Sequence, residues 1–507
     1  MQPLFGIETE YGITVEGKDK IDVVSESVAL VQSYTQKEAA LKWDYSLEDP
    51  YLDARGFRVK ELLEDSDEAE ASLSEPQSLT WQEIKSDLVL TNGARFYNDH
   101  AHPEYSTPEC TTLEEITAHD KAGERILWLS ACRRNQQIAP LTVRLYKNNT
   151  DFLGHSYGCH DNYLVPREVS FRDLAAGMIP FLVTRQIFAG AGKIGIETEN
   201  HQMLERGRFQ ISQRSDFFCV LVSIDTMRQR PIINSRDEPH ADPKRFRRFH
   251  VIVGDANMND FATALKVGST QLVLELVEKN KLPAPALALA DPIHAIQSIS
   301  RDPVQRWIVS LENGKTIPAV DLQRLYLEAA RKHLDVGTPE RQQLILEWEK
   351  ILDDLESDCW KCLDRVDWVA KKYLLQTMVE NEGISWEDPW LQSLDLEYHH
   401  IDPDHGLFYA LQRQGRTRGW ITAEQAEKAI LEPPRSSRAY FRGRCVRKFG
   451  AEMSSVQWDE VEFLLKNKKC RISLEDLFDP REIDRYNSLV DNASTPEKLL
   501  RELGNIP

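Results

Sequence analysis

The 507-residue sequence lacks any run of 18 or more consecutive apolar residues, so no membrane-spanning helix is expected. The first residues, Met1-Gln2-Pro3-Leu4, also lack the basic and then apolar stretches of a secretory signal. Positive charge is in deficit, because 62 lysines and arginines oppose 81 aspartates and glutamates, for a formal net charge of −19. A surface of that charge repels nucleic acids and anionic lipids. We therefore expect a cytoplasmic protein with no nucleic acid and no membrane as a partner.

Cysteine is sparse, with eight scattered residues. A C-x-x-C spacing occurs at Cys359-Trp360-Lys361-Cys362 without a second pair beside it, so we predict reduced thiols rather than a zinc site or disulfides. The Walker A pattern is absent, and a bound ATP must be held in another way. Gly190–Gly195 matches G-x-G-x-x-G, but these glycines follow a predicted helix rather than a strand. We interpret them as a helix end and a turn.

Two glutamates near the N-terminus are the first chemically informative feature. The segment Gly6-Ile7-Glu8-Thr9-Glu10-Tyr11-Gly12 alternates apolar and polar residues. This pattern predicts a β-strand with Glu8 and Glu10 side by side on one face and Ile7 on the core face. Two adjacent carboxylates repel each other and are costly to bury. Mg²⁺ would neutralise both of them; the alternative is a solvated sheet edge.

A second group of charged residues follows in a later predicted strand. The period of two places Arg95, Tyr97 and Asp99 on one face, and Glu104 follows after a turn. Such a face suits neither a solvated surface nor an empty core. Its carboxylates can hold Mg²⁺, and its guanidinium can bind phosphate in a bidentate manner. Asp99 is then a candidate general base or nucleophile.

Three further segments each have two interpretations. His160, on a predicted strand, is either a core histidine or part of a site. The segment Asn234–Asp242 packs arginine, acids and histidine together, as phosphate and metal sites do, or is a turn held by Asp and Asn side chains. The basic block Arg435–Lys448 contains two aromatic residues. It either faces an anionic partner or nucleotide, or is a solvated helix face.

The remaining pattern predicts one large α+β domain with an antiparallel sheet over residues 1–432 and a small C-terminal domain over 433–507, since Pro433-Pro434 marks a break. The acidic segment Glu61–Pro76, in a loop at about residues 58–80, has little to bury and is expected to be mobile. The predicted helices are Ser25–Lys42, a helix from the capping box at Thr112 to about Asn135, and Ser170–Ala189. The predicted strands are Leu88–Asp99, Leu141–Tyr146, His160–Val165, Phe217–Ile224 and Phe249–Gly254.

Taken in order, these segments resemble the family of Pup ligases and Pup deamidases/depupylases, which is related to glutamine synthetase and the carboxylate-amine ligases. The resemblance runs over nearly the whole chain and rests on Gly6–Gly12, Asn92–Cys110, Ser156–Tyr163, Asn234–Asp242, His250–Asn257 and Arg438–Gly443. It implies a glutamine-synthetase-like antiparallel β-sheet backed by helices, with a small C-terminal domain. It also implies ATP and Mg²⁺ as cofactors.

Two activities occur in this family. The ligase attaches the C-terminal glutamate of Pup, a ubiquitin-like modifier that marks proteins for proteasomal degradation, to a lysine. The deamidase/depupylase converts a C-terminal glutamine of Pup to glutamate and cleaves Pup from tagged lysines. The segments Trp43–Tyr45, Asp53–Phe57 and Asp99–Glu104 are similar to the second type, and the length also suits it. Ile7 before Glu8 is closer to the ligase pattern, so ligase activity is the alternative.

The resemblance also implies roles for individual residues. Asp99 would be the catalytic aspartate. The first Mg²⁺ site would consist of Glu8, Tyr97 and Glu104, and the second of Glu10, His160 and His240. ATP would be bound by Arg95, Thr107, Arg236 and Trp458.

The implied partners are Pup or a Pup-like modifier and pupylated proteins, bound by a monomer. Such modifiers are small, acidic and largely disordered, so an acidic chain needs a local basic surface to bind them. The candidates in the sequence are Arg435–Lys448 and Lys244–Arg248.

Overall fold

The computed structural model describes residues 2–18, 21–34, 43–45, 48–62, 86–152, 154–197, 203–226, 229–282 and 287–505. Of the acidic segment Glu61–Pro76, only the first two residues lie in these ranges, and residues 35–42 of the predicted helix Ser25–Lys42 lie outside them. None of the helices described is both long enough and apolar enough to cross a bilayer.

A mainly antiparallel sheet organises the fold. The strands are β1 (Phe5–Glu10), β2 (Gly12–Glu16), β3 (Leu52–Asp53), β4 (Phe57–Arg58), β5 (Leu88–Val89), β6 (Arg95–Asp99), β7 (His102–Ser106), β8 (Thr142–Tyr146), β9 (Cys159–Pro166), β10 (Lys193–Glu197), β11 (Met203–Gln210), β12 (Val220–Ser223), β13 (Pro231–Asn234), β14 (Phe246–Val251), β15 (Ile308–Ser310), β16 (Thr316–Pro318), β17 (Met453–Val456), β18 (Glu460–Leu465) and β19 (Lys468–Ser473). Within the described ranges, eight of them pair in the order β12-β13-β14-β9-β1-β7-β6-β5. Every neighbouring pair is antiparallel except β12 and β13. The predicted α+β class with an antiparallel sheet is confirmed.

Helices cover one face of this sheet. The helices of the described ranges are α1 (Val23–Ser33), α2 (Leu113–Ile138), α3 (Phe171–Thr184), α4 (Gln186–Ala189), α5 (Asp260–Glu278), α6 (Pro292–Ser300), α7 (Ala319–His333), α8 (Pro339–Ser357), α9 (Asp367–Glu382), α10 (Pro389–Tyr398), α11 (Leu407–Arg413), α12 (Ala423–Ala429), α13 (Arg438–Phe449), α14 (Pro480–Asn492) and α15 (Pro496–Leu503). The main core joins Ile7, Val165 and Phe249 of the strands to Leu174 of α3 and Leu265 of α5. Because side chains alternate along a strand, the polar residues between these apolar ones lie on the opposite face of the sheet.

Strand β1 has the predicted alternation. Phe5, Ile7 and Thr9 are buried, whereas Glu8 and Glu10 are partly exposed. Tyr11, at the end of the strand, is also buried. The interpretation of this segment as a strand with an acidic face and a core face is therefore confirmed.

Two predicted strands are interrupted. Leu88–Asp99 was expected to be one strand, but β5 and β6 form a hairpin around Gly93, which has a φ of +79°. The Asn92 side chain accepts a hydrogen bond from the Ala94 amide at 3.1 Å, so an Asn-Gly turn overrides the β-pattern. Within Phe217–Ile224, a 3₁₀ turn at Ser215–Phe217 precedes the short β12.

The glycine and cysteine motifs have structural roles. Gly190 caps α4, and β10 begins at Lys193, as expected for a helix end and turn. Cys359 and Cys362 are the buried residues of a 3₁₀ turn, and none of the eight cysteines, all of which are described, forms a disulfide. Burial raises the pKa of the Cys362 thiol to about 12, so this thiol stays protonated.

The last part of the chain is joined to the sheet through α13. Arg442 is fully buried, and its Nη2 donates a hydrogen bond to the Gly93 carbonyl at 2.7 Å. Its guanidinium also pairs with Glu109 at 2.5 Å and donates to the Trp458 carbonyl at 2.7 Å. A Cβ on Gly443 would lie 2.4 Å from the Thr91 carbonyl oxygen, so only glycine permits this close approach. The domain boundary at residue 432 stays a prediction.

The predicted role of Arg435–Lys448 as a docking surface is wrong for its central arginines, and so is the solvated-face alternative. Arg438 and Arg442 are buried, and both form salt bridges with Glu109. Further along α13, Arg444 pairs with Asp491, and Arg447 pairs with Glu432. The positive charges of this helix are used inside the molecule.

We predict that Arg442→Met lowers the free energy of unfolding by about 3 kcal/mol, because the Glu109 carboxylate then keeps only Arg438 as a charged partner and the Gly93 and Trp458 carbonyls lose their donor. Chemical denaturation measures this difference. The matched control Arg447→Met breaks a surface pair and should cost less than about 1 kcal/mol. Equal losses in the two variants would contradict the role assigned to the buried pair.

The same pair predicts a dependence on pH. Burial raises the pKa of Glu109, but Arg442 and Arg438 more than offset this and lower it to about 2. A depressed carboxyl pKa stabilises the fold above the unfolded-state value and ceases to do so as the pH falls towards 2. The stability difference between Arg442→Met and the unmodified protein should therefore be full near neutral pH and shrink in acid.

Candidate active site

The strand register collects polar side chains on the face of the sheet opposite the helices. Glu8 of β1 lies opposite His160 of β9, and Glu10 lies opposite Glu104 of β7. Tyr97 of β6 also lies opposite Glu104. Directly opposed residues in an antiparallel pair project to the same face. Side chains that are far apart in sequence thereby form one acidic surface.

The first cluster joins Glu8, His160 and His250, whose ligand atoms all lie within 4.8 Å of one another. Glu8 Oε2 is 3.4 Å from His160 Nδ1 and 3.4 Å from His250 Nε2. Burial alone would raise the pKa of Glu8, but the hydrogen bond to His160 and the nearby His250 and Arg248 hold it well below its usual value. Burial, together with Arg248, lowers the pKa of His250 to about 3, so this imidazole is neutral and can bind a cation.

The second cluster joins Glu10, Asp99 and Glu104, again within 4.8 Å. Tyr97 donates a hydrogen bond from its hydroxyl to Glu104 Oε1 at 2.5 Å. Burial raises the pKa of Glu104, and the charges of Asp99, Glu8 and Glu10 raise it further. Converging carboxylates that disfavour one another's ionisation are the donor set that a hard divalent cation stabilises.

The two clusters divide the predicted metal ligands differently from the sequence interpretation. Tyr97 and Glu104 lie together as predicted, but Glu8 lies with two histidines and Glu10 lies with Asp99 and Glu104. His240 lines the same cavity as Glu8. Burial, with Arg248 and other nearby arginines, holds its pKa well below the usual value.

His250 and Arg248 also belong to the site, although neither was predicted as a site residue from the sequence. A signal was available, because Phe249 and Val251 of β14 are buried in the core, which places Arg248 and His250 on the polar face. Arg248 Nη1 lies 3.6 Å from Glu8 Oε1. The run Lys244–Arg248 therefore contributes its last residue to the site.

A cavity of about 540 Å³ lies over the first cluster. Arg95, Arg236 and Trp458, three of the four residues predicted to bind ATP, line it, and their role in binding ATP stays a prediction. The guanidinium carbon of Arg95 lies 4.2 Å from the ring centre of Trp43 and 3.9 Å from that of Tyr97. Its Nε donates a hydrogen bond to Asp87 Oδ1 at 2.8 Å.

Arg236 and Thr107 are held by neighbours of their own. Arg236 pairs with Glu238 at 2.5 Å. Thr107 lies apart from the larger cavity and lines a smaller, mainly apolar cavity of about 90 Å³ that adjoins it at Glu8 and Trp458. The Thr107 hydroxyl accepts a hydrogen bond from the Ile7 amide at 3.0 Å.

A third cavity, of about 530 Å³, lies on the other side of Asp99. It shares Asp99, His100, His160 and Thr226 with the cavity over the first cluster. Gly158 lies at this junction, and a Cβ there would lie 2.6 Å from His160 Nε2 and 2.7 Å from Glu10 Oε1, so a larger residue would displace these two side chains. Asp99 thus borders two separate compartments.

Comparison with known proteins agrees with this architecture. A family model described as Pup-ligase protein matches residues 3–462. The chain belongs to this family. It is 43% identical over 481 residues to a protein of Acidothermus cellulolyticus named Depupylase, with 92% of each chain covered. It is 39% identical over 515 residues to the Pup deamidase/depupylase of Mycolicibacterium smegmatis, with 100% of each chain covered.

Two solved structures of the Pup-ligase family share the fold. The complex of Pup with its ligase PafA has a TM-score of 0.77 and 31% identity, covering 100% of this chain and 95% of that one. PafA in complex with ADP has a TM-score of 0.72 and 34% identity, covering 86% of this chain and 97% of that one. A relative from this family thus binds a nucleotide on the same fold.

We predict that Glu8→Gln and Glu104→Gln each weaken binding of a Mg²⁺–nucleotide complex by at least about tenfold, since even outer-shell partners of a metal contribute 10- to 100-fold to affinity. Isothermal titration calorimetry with ATP and Mg²⁺ measures this. Glu16→Gln, an exposed residue of β2 outside these cavities, is the matched control and should bind as the unmodified protein does. Unchanged affinity in both site variants would argue against the two clusters as cation sites.

Proposed function

We propose that this protein is an ATP- and Mg²⁺-dependent amidase and isopeptidase. It deamidates the C-terminal glutamine of Pup or a Pup-like modifier and removes that modifier from lysines of tagged proteins. The observation that carries the proposal is the position of Asp99, which borders the cavity of Arg95 and Arg236 on one side and a second cavity on the other. The names of the depupylase relatives support this activity.

Asp99 is the group of this chain that acts at the reacting carbonyl. As a nucleophile it attacks the γ-carbonyl carbon itself, and water then hydrolyses the acyl intermediate; as a general base it takes a proton from water, and the hydroxide attacks. In both routes the C–N bond breaks and a γ-carboxylate forms. The amine leaves as ammonia in deamidation and as the lysine ε-amine in removal of the modifier.

The residues of the site fit the cofactors. The clusters Glu8–His160–His250 and Glu10–Asp99–Glu104 supply carboxylate oxygen and imidazole nitrogen donors, which suit a divalent cation. Arg95, Arg236 and Arg248 line the cavity above them and can bind phosphate oxygens. When bound there, Mg²⁺ would polarise the carbonyl as a Lewis acid. Tyr97 orients Glu104, and Thr107, Trp458 and His240 border the nucleotide.

We also propose that the protein is cytoplasmic and acts as a monomer.

A Pup–protein ligase is the second candidate function. Ile7 before Glu8 favours it, as do the two ligase structures that share the fold. A ligase would use the same cavity to activate the Pup glutamate with ATP. The two functions predict opposite changes in the amount of tagged protein.

The direction of the reaction is tested by supplying one pupylated protein in one reaction and free Pup with an acceptor protein in another, both with ATP and Mg²⁺. We expect loss of the tag in the first reaction and no new conjugate in the second, by gel analysis. Conjugate formation without tag removal would favour the ligase.

Asp99→Asn should lower deamidation and tag removal by about 100- to 10,000-fold, the range that a positioned base or nucleophile contributes. Binding of nucleotide by calorimetry and the melting temperature should stay near their native values. Asp353→Asn, an exposed residue of α8, serves as the matched control. Substantial turnover by Asp99→Asn would remove this residue from the catalytic role.

A further inference from the structure

Arg214, just before the 3₁₀ turn Ser215–Phe217, is a buried cation without a carboxylate partner among the described residues. Its side chain is only 2% exposed. Nε donates to Ser156 Oγ at 3.3 Å, and Nη1 donates to the Ile252 carbonyl at 2.7 Å and the Gly254 carbonyl at 3.3 Å. Nη2 makes no hydrogen bond within the described ranges, so one edge of the guanidinium is available.

Other arginines that are equally buried are neutralised. Arg185 lies 2.7 Å from Asp161, and Arg442 lies 2.5 Å from Glu109. A buried charge without a counter-ion is costly. Burial lowers the pKa of Arg214 even though Glu10 and Asp255 attract its charge. The surroundings of Arg214 are therefore incomplete in a way that an anion would correct.

Arg214 lines the cavity of about 530 Å³ that meets the nucleotide side at Asp99. Arg230 lines the same cavity and adds positive charge. Ile21 and Val23 supply apolar surface there, which suits the methylene groups of a side chain. An anionic group on Arg214 and a carbonyl group at Asp99 would thus occupy one compartment.

The substrate residue of the proposed reaction carries one such anion. It is C-terminal, so its α-carboxylate stays free while its γ-carbonyl reacts. A guanidinium is the side chain that best matches a carboxylate in geometry and charge. Building on the proposed function, we propose that Arg214 binds the free α-carboxylate of the modifier's C-terminal glutamine or glutamate.

This contact determines specificity. An internal glutamine, or a C-terminal residue whose α-carboxylate is amidated, brings no charge to Arg214 and leaves the guanidinium unpaired and dehydrated. Sites built to pair a substrate group reject analogues that lack it, because their own polar groups then stay unsatisfied. The enzyme would therefore spare glutamines inside proteins and act on the modifier's last residue.

The test compares two forms of Pup that end in glutamine, one with a free α-carboxylate and one with an α-carboxamide. We expect the unmodified enzyme to deamidate the side chain of the free acid with a kcat/KM about 10- to 150-fold higher, the factor for a hydrogen bond to a charged group. Arg214→Gln should lose that preference, with the rate on the acid falling and the rate on the amide staying close to native. Arg306→Gln, an exposed arginine outside the cavity, should keep the preference.

Two further measurements separate this role from others. Calorimetry should show native nucleotide affinity for Arg214→Gln; a large loss would make Arg214 a phosphate contact and overturn the proposal. If Arg214→Gln does not fold, Arg214→Lys keeps the charge, and it should fold and show a reduced preference for the acid. Equal rates on acid and amide in the unmodified enzyme, or equal losses on both in a folded variant, would also overturn it.

The outcome also distinguishes the two proposals. An enzyme that neither deamidates Pup nor releases it from lysine overturns the proposed function itself. An active enzyme that treats acid and amide alike overturns only the role of Arg214. Binding of the two Pup forms to Asp99→Asn, measured by calorimetry, reports the same preference without turnover.

Discussion

The mutual repulsion of carboxylates on one sheet face is the constraint around which this structure is built. Glu8, Glu10, Asp99 and Glu104 converge because β1, β7 and β6 are neighbours in an antiparallel register. Left alone, such a group of charges favours separation of the strands. The fold resists this through the apolar core on the opposite face. Histidines, Tyr97 and arginines around the acids offset part of the repulsion, and bound cations would offset the rest.

The arginines of the chain serve this acidic surface in different ways. Arg95 is fixed between aromatic rings and Asp87, and Arg248 lies against Glu8. Arg442 lies further away and joins α13 to the β5–β6 turn. Net charge alone would suggest that basic residues are spare binding surface in so acidic a protein. Their contacts indicate instead that most of those near the site hold its parts in place.

The sequence predicted the parts of the site that follow from local periodicity. Alternation in β1 and β6 was enough to place Glu8, Glu10, Arg95, Tyr97 and Asp99 on polar faces, and the order of motifs indicated the family and its α+β class. Register could not be predicted, because a partner strand is chosen by long-range packing rather than by local pattern. This is why Glu10 and Glu104 were assigned to different predicted metal sites, although their ligand atoms lie in one cluster. The burial of Arg442 was likewise invisible, since its partner Glu109 lies more than 300 positions away.

The cavity over the first cluster is lined by Glu8 of the first strand and by Trp458, which follows β17. During synthesis on a ribosome, nearly the whole chain must emerge before these two residues can meet. A partly made chain would contain the acidic strands without the Trp458 wall of this cavity. If the proposed nucleotide binds there, the protein acquires affinity for it only late in synthesis, and binding then stabilises the complete chain relative to its incomplete forms.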